Sequence, residues 1–180
     1  MTTTEMTTTA VFGDPHFNIM LPNKQSLCFT LQGQHGFVFN LLSNQLLQIN
    51  ALFVPDKERS EVTWLGSLGL VVKNNHFKKS NITKVRLVAD ERMIYISDKI
   101  KLHAKSVEKL IFVNGKLKIV EAVRENDQKV HLEVQINLVD LGLNFIVWFV
   151  KGSHLDMTWN NVLQQPKRSH GIIGMSHNRF

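Results

Sequence analysis

The most regular stretch of the chain is Val130, Leu132, Val134, Ile136 and Leu138, alternating with Lys129, His131, Glu133, Gln135 and Asn137. A period of two puts the apolar side chains on one face, so this stretch reads as a strand with one dry and one wet side. Weaker runs predict strands at 27–31, 37–42, 48–54, 68–72, 85–88, 93–97, 100–103, 109–113, 117–123 and 143–150. Polar clusters separate them: Gln34-His35-Gly36, Asn74-Asn75, Ala89-Asp90-Glu91, Asn114-Gly115 and Asn126-Asp127. Asn114-Gly115 is the strongest hairpin signal, because both residues tolerate positive φ. No long amphipathic helix emerges, and 156–165 is the one segment expected to form a short helix. Many short strands with closely spaced turns predict an all-β fold, an antiparallel β-sandwich or barrel.

Residues 1–11 are Thr-rich and repetitive, and read as a flexible leader to one globular domain over 12–180. At 43% hydrophobic residues, a chain of 180 can bury a core without help from disulfides. No apolar run approaches the ~20 residues of a membrane helix. The longest, 143–150, is strand-sized and broken by Asn144, so no membrane partner is expected. The opening MTTTEMTTTA lacks the basic start and apolar core of a secretory signal. Cys28 is the only cysteine, which leaves no intrachain disulfide framework and no cysteine-based zinc cage. The eight histidines show no metal-ligand spacing, so neither a cofactor nor a metal is expected.

A formal net charge of +6 is spread over Lys73, Lys78, Lys79, Lys84 and Arg86, then Lys99, Lys101, Lys105 and Lys109, then Lys116 and Lys118. Such a surface attracts polyanions, including sulfated glycosaminoglycan; the plainer reading is a solvated strand face. No aromatic stacking platform is evident among these residues, so nucleic acid is not an expected partner.

The chemistry concentrates in Gly13-Asp14-Pro15-His16. An Asp-Pro bond is weak because the aspartate carboxyl can attack its own main-chain carbonyl and close a five-membered anhydride. Proline makes the leaving group a ring-strained secondary amine that protonates readily. The attack is intramolecular, which lowers the barrier by several kcal/mol or more. Histidine exchanges protons near neutrality, so His16 is placed to assist as a general acid. Gly13 permits backbone geometry that a side chain would block. Water opening the anhydride gives simple cleavage, whereas a sugar hydroxyl gives an ester. Asp-Pro is also a common turn dipeptide, and that is the competing explanation. Asn81-Ile82-Thr83 is an N-glycosylation sequon, with Asn81 the acceptor if the chain is secreted. Ser169-His170 does not make a nucleophilic triad, since sequence neighbours lack the required geometry. The chain is therefore not expected to be an enzyme, beyond self-processing at one bond.

Gly13-Asp14-Pro15-His16-Phe17 resembles the processing site of inter-alpha-trypsin inhibitor heavy chains. Leu27-Cys28-Phe29, Asn40-Leu41-Leu42-Ser43 and Thr63-Trp64-Leu65-Gly66-Ser67-Leu68-Gly69 are similar to later segments of that family's carboxyl-terminal domain. His170-Gly171-Ile172-Ile173-Gly174 resembles its His-Gly-Leu-Leu-Gly motif, and the landmarks keep the family's order over about 12–180. The resemblance implies a secreted protein cut after Asp14. The new α-carboxyl would be esterified to chondroitin sulfate on bikunin and later passed to hyaluronan. The domain downstream of the cut would be a released propeptide, associated with hyaluronan metabolism and with a serine-protease inhibitor complex whose inhibition belongs to bikunin. A second resemblance, to von Willebrand type D modules, rests on the Gly-Asp-Pro-His start. It implies a sandwich of two packed sheets, although those modules carry many cysteines. A third expectation is a non-catalytic module that binds polyanionic glycans, with Asp14-Pro15 a mere turn.

Overall fold

The structure, a computed structural model, describes residues 8–12, 15–20, 25–31, 36–74, 81–97, 100–103, 109–112, 115–123, 130–138, 141–150, 154–160 and 170–172. Strand dominates them. In chain order the strands are β1 (Thr8–Phe12), β2 (His16–Met20), β3 (Ser26–Thr30), β4 (Val38–Ser43), β5 (Leu47–Pro55), β6 (Thr63–Asn74) and β7 (Asn81–Val88). They continue as β8 (Met93–Ile96), β9 (Ile100–His103), β10 (Lys109–Phe112), β11 (Gly115–Val123), β12 (Val130–Leu138), β13 (Leu143–Val150) and β14 (His154–Asn160). No helix among the described residues is long and apolar enough to cross a membrane.

All pairings are antiparallel, and they build two sheets. Strands β4 to β9 form a six-stranded meander in sequence order. The other sheet has eight strands in the order β10-β11-β12-β13-β14-β1-β2-β3. The chain thus lays down three strands of one sheet, builds the whole of the other, and returns. Its last strand, β14, then docks against its first, β1.

One continuous core lies between the sheets. Phe17, Val134, Ile136, Phe145, Val147 and Trp159 come from the eight-stranded sheet, and Leu42, Ile49, Phe53, Leu68, Leu87 and Ile94 from the other. Each set follows the period of two, as in β13, where Leu143, Phe145, Val147 and Phe149 are buried and their neighbours are not. The core packs as two apolar faces brought together, which is the all-β sandwich expected of the pattern.

Among the described residues, two bulges break the ladders. In β4 the pairing steps from Asn40↔Asn50 to Leu42↔Ile49, leaving Leu41 as the extra residue, so that Leu41 and Leu42 are both buried. In β6 it steps from Ser67↔Leu52 to Leu65↔Phe53, leaving Gly66 as the extra residue. A Cβ at Gly66 would lie 2.5 Å from Val54 Cγ1, so only glycine fits there without displacing that side chain.

The structure corrects three expectations. The Thr-rich leader does not extend through residue 11: Thr8–Phe12 is strand β1, inside the larger sheet. The helix expected at 156–165 is instead strand through Asn160; Leu155, Met157 and Trp159 turn into the core, and the chain is paired on both sides. Residues 161–165 lie outside the described residues. The hairpin near Asn114-Gly115 exists, but Phe112 pairs with Gly115, so Gly115 begins the returning strand.

Candidate functional site

Phe12, the last residue of β1, pairs with His16, the first of β2. Gly13, Asp14 and Pro15 therefore form the whole link between two neighbouring strands. Gly13 and Asp14 lie outside the described residues. Pro15 is buried, and its carbonyl accepts a hydrogen bond from Leu31 N at 3.1 Å. That bond extends the β2–β3 ladder by one position beyond His16↔Thr30. Proline has no N–H to lose, so the first residue before a strand is a place it is tolerated.

His16 is exposed on the outer face, with Nδ1 2.7 Å from Thr30 Oγ1 on β3. The next residue, Phe17, faces the core and lies flat against Phe29, with ring centroids 5.0 Å apart and planes within 6°. This stacked pair fixes β2 on β3 one residue from His16. Asn18 then returns to the outer face opposite Cys28, whose Sγ is 3.6 Å from Asn18 Oδ1 and 4.0 Å from Ser26 Oγ. Side chains of β2 and β3 line an open cleft of ≈ 310 Å³, with His16, Asn18, Cys28 and Thr30 as its polar members. Cys28 is an exposed free thiol. Among the described residues no three or more His, Cys, Asp or Glu side chains gather as a metal site.

Of the residues singled out in the sequence, Pro15 and His16 thus stand together at the mouth of β2. Thr30 and Asn18 were not foreseen. The signal for them was the alternation of Phe17 and Ile19 opposite Leu27 and Phe29, which pairs His16 with Thr30 once β2 is recognised as a strand. Asn81 is the first residue of β7, paired with Asn74, and its side chain lies outside the described set. Thr83, the third residue of the sequon, is buried.

The other landmarks occupy irregular points of the ladders. His170 bridges Ser43, with Ser43 N donating to His170 O at 2.8 Å and His170 N to Ser43 O at 2.7 Å. Gly171 follows at φ +92°, where a Cβ would lie 2.8 Å from the carbonyl carbon of Leu41. The segments 40–43 and 170–172, far apart in sequence, therefore meet at the β4 bulge. Trp64, beside the β6 bulge, donates through Nε1 to Asp56 and stacks on His154 of β14 at 4.3 Å, which ties the two sheets together. The Asp56 carboxyl is held below its ordinary value of 3.8, first by the backbone N–H of Glu58 and then by Trp64 and the N–H of Arg59.

Among the described basic residues, two share a single aromatic ring. Arg86, Tyr95 and Lys101 sit side by side on β7, β8 and β9. The Arg86 guanidinium lies 4.4 Å and the Lys101 ammonium 5.6 Å from the centre of the Tyr95 ring, whose hydroxyl donates to Glu91 at 2.8 Å. Lys84 is exposed on the same face of β7 as Arg86.

No family model matches the chain, and no curated protein matches it.

Proposed function

We propose that the chain is a self-processing β-sandwich domain, cut between Asp14 and Pro15, of the kind found at the carboxyl end of inter-alpha-trypsin inhibitor heavy chains. The observation that carries the reading is the placement of Asp14-Pro15 in a three-residue link whose two ends, Phe12 and His16, are paired with each other. Pairing at both ends limits the conformations open to so short a link, and a limited set of conformations speeds an intramolecular attack when the attacking geometry is among them. The two antiparallel sheets packed face to face also support a von Willebrand type D-like arrangement as the finer description of the fold.

In the proposed reaction a side-chain oxygen of Asp14 bonds to the Asp14 main-chain carbonyl carbon. The bond from that carbon to the Pro15 nitrogen breaks, and the nitrogen leaves with a proton as a secondary amine. His16, braced by Thr30, is the side chain nearest in sequence to supply that proton. The cyclic anhydride left on Asp14 is then opened by water, or by a sugar hydroxyl whose proton is lost as the ester forms. The second outcome joins the upstream chain to a glycan such as chondroitin sulfate or hyaluronan, in an extracellular setting. Bikunin enters only as the carrier of that chondroitin sulfate.

The test is a trapping experiment. The chain is incubated with hydroxylamine, or with a chondroitin oligosaccharide, and the masses of its pieces are read. A 1–14 fragment carrying hydroxamate or glycan, absent from an Asp14→Asn variant, is the expected result. A cut that never traps a nucleophile at Asp14 contradicts ester formation.

One observation favours a second role for the surface. Lys84, Arg86 and Lys101 present several cations on one face of the six-stranded sheet, where a sulfated glycan would find closely spaced charge. Charge reversal at Lys84 and Lys101 is expected to abolish salt-dependent retention on a chondroitin sulfate column. Unchanged retention would remove this reading.

A further inference from the structure

β1 is an interior strand. It lies between β14 and β2 and pairs with both. Its ladder to β14 runs Thr8↔Asn160, Thr9↔Trp159, Ala10↔Thr158 and Val11↔Met157. Its ladder to β2 runs Ala10↔Asn18, Val11↔Phe17 and Phe12↔His16. Val11 is buried in the same core cluster as Phe17, Met157 and Trp159. Without β1, strands β2 and β3 would be a two-stranded hairpin, which is marginal alone, and the facing edges of β14 and β2 would be unpaired.

We infer that the channel between β14 and β2 is a strand-acceptor site for Thr8–Phe12, so that breaking the β1–β2 link gives a two-chain domain with the upstream segment still inserted. Its use by the protein rests on the Asp14-Pro15 reading; the acceptor site does not. Cleavage and separation are then two events, and the second requires one strand to be drawn from the middle of a sheet. This departs from the released propeptide that the heavy-chain resemblance implies. Retention keeps Phe12 paired with His16, so each new chain end stays within two residues of a paired strand position. An anhydride at Asp14 has two fates there. The Pro15 nitrogen can attack it, re-forming the peptide bond, freeing the side-chain carboxylate and losing one proton. Alternatively, water or a hydroxyl takes it and makes the break permanent.

The experiment cuts the link independently of Asp14. In the full chain carrying Asp14→Asn, a specific protease sequence is inserted between residues 14 and 15. Far-UV circular dichroism and a cooperative unfolding transition establish that the variant is folded before it is digested to completion. Should the short insertion prevent folding, the same sequence within a longer Gly-Ser insertion replaces it. The expected result at micromolar concentration is one size-exclusion peak containing both masses, which separate in guanidinium. Adding Val11→Asp, which places a carboxylate in the core, is expected to lower the retained peptide at least tenfold after cutting. Elution of the amino-terminal piece on its own, from a folded and fully cut protein, overturns the inference. The intact mass of the undigested wild-type chain separately tests the cleavage reading, whose failure leaves the retention result standing.

Discussion

Two glycine-containing landmarks sit where this fold departs from regular pairing, and they do so for different reasons. At the β4 bulge, Gly171 is pressed against the Leu41 backbone at positive φ, and that contact alone accounts for a glycine there. At the β1–β2 link, the described neighbours ask only for a tight connection between Phe12 and His16. Many triplets would close such a link, whereas an aspartate followed by proline is the choice that makes one bond weak. The first landmark is explained by shape; for the second, bond chemistry is the explanation proposed above. A short motif therefore has to be tested against packing before it is given a chemical role.

Asp14→Asn gives the largest expected effect. It removes the attacking carboxylate, so cleavage should fall by a factor on the order of 100 or more while stability shifts by less than ~0.5 kcal/mol. Cleavage that persists in the variant breaks the contrast outright. Gly171→Ala should do the reverse. Unfavourable φ together with overpacking against Leu41 is expected to cost about 2–4 kcal/mol in denaturant unfolding, with the cut rate of the folded fraction unchanged. A Gly171→Ala protein as stable as wild type would show that shape does not explain that landmark.

Thr30→Val sharpens the chemical side. It keeps the side-chain volume and removes the bond to His16 Nδ1. The expected result is a several-fold slower cut with a stability change of about 1 kcal/mol or less. An unchanged rate and pH–rate profile would show that the Thr30 contact does not serve the cut.

Asp56 gives the smallest effect and belongs to the structural side. Its carboxyl is depressed in the fold, so its ionised form contributes stability above the ordinary value of 3.8. That contribution is lost as pH falls through the lower folded value. The unfolding midpoints of wild type and Asp56→Ala should differ at pH 6 and draw together as the pH drops below about 3.8. A constant gap would mean that Asp56 acts through its neutral hydrogen bonds.

How much of this was legible depended on whether an element carries its own pattern. β12 did, because its sequence alternates over its full length against a single core; β13 was legible as an apolar run of strand length, and the alternation of its burial appears only in the fold. β6 was foreseen only as 68–72, since Gly66 and its bulge interrupt the alternation that runs from Thr63 to Asn74. β1 was read as leader because Thr8, Thr9 and Ala10 offer little apolar contrast; it is a strand because β14 and β2 present edges on both sides. The period of β14 was present in Leu155, Met157 and Trp159, although 156–165 was read as helix. At the site, the proposed reactivity of Asp14-Pro15 rests on the dipeptide alone. Thr30 could not be read from the sequence, because its link to His16 exists only after two strands have paired.

The proposed reaction requires the Asp14-Pro15 bond to open by itself in the folded chain. The most direct test is a time course of denatured intact mass, at mildly acidic and at neutral pH, for the wild-type chain beside Asp14→Asn. Two masses should accumulate, one ending at Asp14 and one beginning at Pro15, from wild type only and only while the protein is folded. A folded wild-type chain that stays whole at both pH values would contradict the proposal, and the link would then be a turn between β1 and β2.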